Sequence, residues 1–85
     1  MGKYKLSIKP SAVKELEAIP KIDRQRIVRR IQALSEDVRP PGCEKLSGEE
    51  KYRVRQGWYR IIYSIDDQTR EVLVVKVGHR REVYR

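Results

Sequence analysis

The segment YRVRQGWYRIIY, residues 52–63, places Arg53, Arg55 and Arg60 around Gly57, with tyrosine, tryptophan, valine and isoleucine between them. Guanidinium groups stay protonated and present planar forks of N–H donors that match phosphate oxygens. Three of them on one surface could hold a phosphate or stabilise the charge of a pentacoordinate phosphorane. They could not act as bases. The interleaved aromatic rings offer unstacked bases a platform, a combination suited to single-stranded nucleic acid.

Such chemistry requires the cations to share a face. With Gln56–Gly57 as a two-residue turn, Arg55 falls opposite Trp58, Val54 opposite Tyr59, Arg53 opposite Arg60 and Tyr52 opposite Ile61. Strand side chains alternate, so Arg53, Arg55, Trp58 and Arg60 share one face, and Tyr52, Val54, Tyr59 and Ile61 the other. Like charges directly opposite each other are destabilising, so a sheet built only for stability would alternate the signs. A solvated surface accounts for any one of these arginines, whereas a bound phosphate accounts for all three. Trp58 reads either as part of this surface or as a cover for the sheet edge.

The next strand adds Lys76, which falls opposite Arg60 if residues 67–69 form the loop; the other register would bury a lysine beneath the helices. Gly78 is expected to end that strand, and His79, Arg80, Arg81 and Tyr84 follow near the same edge. Histidine is the side-chain type best suited to acid–base work at neutral pH, which makes His79 a candidate, although it alternates with Arg80 along the chain. Tyr84 lies outside any core period, which favours a functional role over packing.

The elements that must carry these residues follow from the periodicities. Residues 3–8 alternate, with Tyr4, Leu6 and Ile8 on one side, as a strand does. Ser11 is the expected N-cap of a short helix bearing Val13, Leu16 and Ile19, and Pro20 closes it. Ile27, Ile31 and Leu34 mark residues 21–36 as an amphipathic helix whose other face carries Arg24, Arg26, Arg29 and Arg30. That face is either simply solvated or a surface for a partner. Proline and glycine make residues 39–50 a loop, before strands over 51–56, 58–65 and 71–77. The fold class is therefore α+β: an N-terminal strand, a two-helix hairpin and a three-stranded antiparallel meander in one sheet, with both helices on one face and the opposite face open.

Eighty-five residues allow one domain, 1–85. Twenty Lys and Arg against 12 Asp and Glu give a net charge of +8, which favours nucleic acid, an anionic membrane surface or an acidic protein as partner. The hydrophobic fraction of 39% suffices for a compact core. Cys43 is the single cysteine and His79 the single histidine, which points away from disulfides and metal sites and toward a reducing cytoplasm. The N-terminal residues carry neither a signal-peptide apolar region nor a membrane span, so a soluble intracellular protein is expected.

The ordered pieces KLSG, YRVR before glycine, YRIIY, VGHR and a closing EVY resemble RelE toxins of the RelE/ParE toxin–antitoxin superfamily, over essentially the whole chain. The resemblance implies a RelE-like fold and a metal-independent, cofactor-free endoribonuclease that cleaves mRNA in the ribosomal A site, leaving a 2′,3′-cyclic phosphate and a 5′-hydroxyl. It assigns catalytic roles to Arg53, Arg55, Arg60, Arg80 and Tyr84, with His79 a further candidate, and leaves Lys76, Trp58 and Arg81 for RNA binding. It also implies a RelB-like antitoxin as partner, operator DNA bound only through the antitoxin complex, and no membrane. The best-known member has lysines where Arg53 and Arg55 stand, so proton transfer here would fall to Tyr84, His79 or a ribosomal group. A ParE-like toxin that inhibits DNA gyrase is the alternative from another class, and a non-toxic RNA-binding module is a third.

Overall fold

The structure, a computed structural model, describes residues 3–46 and 50–79. β1 (Lys5–Ile8) leads into α1 (Pro10–Glu17) and α2 (Lys21–Ala33), followed by β2 (Glu44–Lys45), β3 (Lys51–Gln56), β4 (Tyr59–Asp66) and β5 (Glu71–His79). Among the described residues, five strands form one sheet in the order β1-β5-β4-β3-β2. β1 runs parallel to β5 and the other pairs are antiparallel, so the sheet is mixed. The α+β architecture with the helices on one face is as expected. The expected four strands become five, because the 39–50 segment contributes the short β2.

Periodicity accounts for the core. Ile27 and Ile31 of α2 and its C-cap Leu34, where the helix expected to reach residue 36 already ends, Ala12 and Leu16 of α1, and Ile19 after it are buried against Val54, Ile61, Tyr63, Val72, Val74 and Val77 of the sheet. The apolar positions of β1, Leu6 and Ile8, pack against this cluster, as does Tyr4 just before the strand. In α1 the expected inward position Val13 is instead exposed, and Ala12 takes its place. The helix starts earlier than expected: Lys9 is its N-cap and Pro10 opens its first turn, a position where the missing N–H costs no hydrogen bond. Pro20 then sits as the N-cap of α2 with extended backbone.

Two details of the sheet depart from the expected registers, and both have local causes. The β3–β4 hairpin pairs Gln56 with Tyr59, Arg55 with Arg60, Val54 with Ile61 and Arg53 with Ile62. The turn is therefore Gly57–Trp58, one residue later than expected. Gly57 has φ +59° and Trp58 stays out of the left-handed region, so glycine takes the first central position, the pattern of a type II′ turn. A Gln56–Gly57 turn would have asked Gln56 for a positive φ, which only glycine adopts cheaply.

The β4–β5 connection closes with Asp66 opposite Glu71, so the loop spans 67–70 rather than 67–69. Asp66 caps this turn, its Oδ1 accepting from the N–H of Gln68 at 3.0 Å and of Thr69 at 3.1 Å, and Arg70 adopts φ +57°. Continued without interruption, this register would set Lys76 opposite Ile61, beneath the helices. A bulge between the Ile62 and Tyr63 pairs prevents it: Tyr63 faces Val74, Ile62 faces Lys76 and Ile61 faces Val77. The extra residue moves the lysine to the other face and brings Val77 into the core. Lys76 consequently stands across from Ile62, not Arg60. Gly78 does not end the strand; it pairs with Arg60 inside β5.

Candidate phosphate-binding site

The face of the sheet away from the helices carries two neighbouring rows. One runs Glu44–Arg53–Ile62–Lys76 and the next Arg55–Arg60–Gly78. Residues two apart along a strand are about 7 Å apart. Arg55 and Arg60 thus stand directly opposite each other, with Arg53 in the adjacent row. The like-charge pair expected from the sequence exists, but between Arg55 and Arg60 rather than Arg53 and Arg60. Gly78, at the end of that row, carries no side chain.

The three arginines differ in setting. Arg55 is exposed. Arg60, expected on the surface, is 4% exposed, and its Nη1 donates to the Tyr59 carbonyl at 3.4 Å. Arg53 is largely covered, and its Nη2 donates to Glu44 Oε1 at 2.8 Å. That hydrogen bond, the Arg53 charge, and the further charges of Arg55 and Arg60 hold the Glu44 carboxyl below the usual carboxylate range. All three guanidinium groups therefore bear on one carboxylate. Glu44 is there because β2 pairs it with Arg53, a contact between residues the sequence shows only as loop and strand. The sequence carries no periodic signal for it, since Cys43, Glu44, Lys45 and Leu46 read apolar, polar, polar, apolar.

Other residues expected at this site are placed elsewhere. Lys76 shares the arginine face by register, but its ammonium reaches Glu15 Oε2 at 3.3 Å. The other oxygen of Glu15 accepts from the N–H of Val77 at 3.0 Å, so one carboxylate of α1 both caps the strand edge and pairs the lysine. Trp58 lies in the turn, 65% exposed, instead of within a strand. His79 pairs with Tyr59 on the helix-side face, the rings meeting edge to face at 5.8 Å between centroids. There it lines a cavity of about 360 Å³ together with Glu15, Ala18, Ile19, Tyr59, Val77 and Gly78, across the sheet from Arg55 and Arg60. Arg80, Arg81 and Tyr84 lie outside the described residues. Among the described residues no group of three or more His, Cys, Asp or Glu is gathered as a metal-ligand set.

The arrangement can bind a tetrahedral or trigonal-bipyramidal oxyanion by charge-assisted hydrogen bonds. It holds no neutral base among its arginines, because arginine does not deprotonate in proteins.

Comparison with known proteins bears on the family and the fold. The family described as "ParE toxin of type II toxin-antitoxin system, parDE" matches residues 6–84. Toxin RelG of Mycobacterium tuberculosis is 41% identical over 34 residues, which is 40% of this chain and 39% of that protein's length. The archaeal RelE–RelB complex from Pyrococcus horikoshii OT3 superposes with a TM-score of 0.82 at 28% identity, over 92% of this chain and 96% of that one. The isolated E. coli RelE toxin superposes with a TM-score of 0.78 at 28% identity, over 95% and 90%.

Proposed function

Because the chain belongs to the ParE toxin family of type II toxin–antitoxin systems and is a RelE-type toxin of the RelE/ParE superfamily, we propose that its arginine face cleaves mRNA on the ribosome. The observation that carries this reading is the direct opposition of Arg55 and Arg60, with Arg53 in the adjacent row and one carboxylate among them. Such an arrangement is costly without an anion and suited to a phosphodiester.

In the reaction, the ribose 2′-oxygen attacks the adjacent phosphorus as its proton departs. The bond to the 5′-oxygen then breaks, and that oxygen takes up a proton. The products are a 2′,3′-cyclic phosphate and a 5′-hydroxyl. Arg55 and Arg60 stabilise the phosphorane between these steps, the contribution made by groups aimed at charge that develops only in the transition state. Arg80 joins them and Tyr84 serves in proton transfer. No metal ion takes part. His79, across the sheet, is the weaker candidate for that role.

A site with fixed cations and no strong base depends on a substrate already held for in-line attack, and the ribosomal A site supplies that orientation. The partner that restrains the toxin is a RelB-like antitoxin, by analogy with the Pyrococcus horikoshii complex, and operator DNA is reached only through that complex. The protein works in the cytoplasm; no helix among the described residues is long and apolar enough to cross a membrane.

The test is purified protein on one mRNA, with and without ribosomes, reading 5′-ends. Cleavage within translated codons only when ribosomes are present is the expected result. Equal cleavage without ribosomes overturns ribosome dependence. The matching family is described as ParE toxin, which favours one second reading, inhibition of DNA gyrase. Gyrase inhibition without any RNA cleavage would establish that reading in place of the first.

A further inference from the structure

The helix-free face continues beyond the two arginine rows, and its charge changes sign along the way. Next to the Arg53–Ile62–Lys76 row, the pairing sets Lys51 beside Ser64, Ser64 beside Leu73 and Leu73 beside Ser7. The row after that joins Asp66, Glu71 and Lys5 at the β4–β5 turn. Paired residues point to the same face, so four rows follow one another from the hairpin tip to that turn. The first has two cations, Arg55 and Arg60, and the second has Arg53 and Lys76 with one carboxylate, Glu44. The third has one cation, Lys51, and the fourth has two carboxylates with one ammonium. The formal charge of successive rows therefore falls from positive at the tip to negative at the turn. Leu73, in the third row, is 38% exposed.

We infer that this face is a track for three consecutive phosphates of one RNA strand, in which Lys51 holds the third and the Asp66–Glu71 row ends the site. The inference rests on the RNA-cleavage reading above and adds the length and direction of the bound strand. Rows about 7 Å apart repeat at nearly the interval between neighbouring phosphates of an unstacked strand. The Arg55–Arg60 pair takes the first phosphate, the one at which the bond breaks. Arg53 takes the second by exchanging Glu44 for it, since Lys76 is drawn to Glu15. Lys51 takes the third. There the hydroxyls of Ser7 and Ser64 can donate to the strand, and Leu73 gives a sugar or base an apolar contact. A fourth phosphate in the same direction would face Asp66 and Glu71 and be repelled. The RNA is thus held on one side of the cleaved bond only. An acidic protein segment would also satisfy the cations, but the opposed guanidinium groups suit the bidentate geometry of phosphate best.

The experiment uses the full chain and non-cleavable 2′-methoxy RNAs of increasing length, with affinity read by anisotropy at two low salt concentrations. Wild type is compared with Lys51→Ala and Glu71→Lys, whose melting curves check folding. Wild-type affinity is expected to rise with length until the strand carries three phosphates, and then to level off. Lys51→Ala should level off one phosphate earlier, with a salt dependence shallower by about 0.7 in log–log slope. Glu71→Lys should carry the rise to a fourth phosphate. Wild-type length profiles and slopes in both variants overturn the inference while leaving the RNA-cleavage reading intact. So does a wild type that cleaves mRNA on ribosomes yet binds none of these RNAs. Polyglutamate whose binding weakens in Lys51→Ala, with the RNA profile unchanged, overturns it in favour of an acidic protein segment. A wild type that neither binds these RNAs nor cleaves mRNA on ribosomes sinks the cleavage reading and this inference with it.

Discussion

Arg55 and Arg60 illustrate how two identical side chains in register can have different consequences. Arg55 is exposed and repelled by its neighbour, so its removal relieves a like-charge contact. Arg55→Ala is expected to slow cleavage by roughly 10²–10³, the loss seen when one transition-state donor is deleted, with the melting temperature unchanged or raised. Arg60 is buried, so Arg60→Ala should lose activity and also about 1–3 kcal/mol of stability. Parallel rate assays and thermal melts separate the two; equal stability losses would contradict the burial difference. Glu44 offers a second test at this scale. Its carboxylate occupies Arg53 as a phosphate would, so substrate must compete with it. Glu44→Gln is expected to tighten binding of a non-cleavable 2′-methoxy RNA by about two- to fivefold at low salt. The salt dependence should steepen at the same time, since one more cation meets phosphate. Anisotropy titrations at two salt concentrations would show it, and unchanged affinity would mean that Arg53 stays out of the RNA contact.

Among the elements, the β3–β4 hairpin matters most, because its turn decides which arginines meet. Gly57 has φ +59°, and a Cβ built there meets nothing within 4 Å, so the penalty for a side chain is backbone strain alone. Gly57→Ala should therefore cost about 1–2 kcal/mol. Gly57→Asn should cost less, because asparagine tolerates the left-handed region. Urea unfolding of the three proteins gives the order; alanine as stable as glycine would refute the turn assignment. The β4–β5 pair shows a different control. There a bulge, not a turn, sets the final register, because burying Val77 and keeping Lys76 out of the core outweighs an unbroken ladder. Tyr63, fully buried beside it, donates to the Val38 carbonyl at 2.8 Å and ties β4 to the segment entering β2.

Across the whole molecule, the far end of the sheet is held by a polar clasp. Arg39 Nη2 donates to Asp67 Oδ2 at 2.8 Å, Tyr4 donates to Asp67 Oδ1 at 2.7 Å, and the Arg39 guanidinium lies 5.2 Å from the Tyr52 ring centre. The segment before β1, the loop after α2, the β4–β5 loop and β3 are thereby joined. The hydrogen bonds from Arg39 and Tyr4 hold the Asp67 carboxyl below its ordinary value. Its folded-state pKa is thus lower than in the unfolded chain, where aspartate titrates near about 3.9. The contribution is complete above that value and is lost as pH falls through the lower folded-state one, where the folded chain too takes up the proton. Wild type should exceed Asp67→Asn in stability at neutral pH, and the gap should close below about pH 3.9. Urea titrations across acidic pH measure it; a gap independent of pH would remove the clasp from the ledger of pH-dependent stability.

Which face the β3 and β4 residues and the buried stripe of α2 occupy was legible in the sequence, because the strand period of two and the helical period belong to the chain itself. Tyr52, Val54, Tyr59 and Ile61 do share the helix-side face, and Arg53, Arg55 and Arg60 the other. That sorting survives the misplaced turn, since moving the turn by one residue shifts each partner by two and leaves every side chain on its face. Ile27, Ile31 and Leu34 were likewise evident as the buried stripe of α2 and its C-cap. Pairing was not legible, because it depends on the backbone dihedrals at Gly57 and on the bulge that keeps a lysine out of the core. Nor could periodicity reveal the parallel contact of β1 with β5, which joins segments distant in the chain, or β2 carrying Glu44 to Arg53, because a two-residue strand is too short to show a period. Only the tertiary structure decided that Arg60 is buried while Arg55 is exposed: burial depends on what packs around a position, and alternation alone treats the two alike.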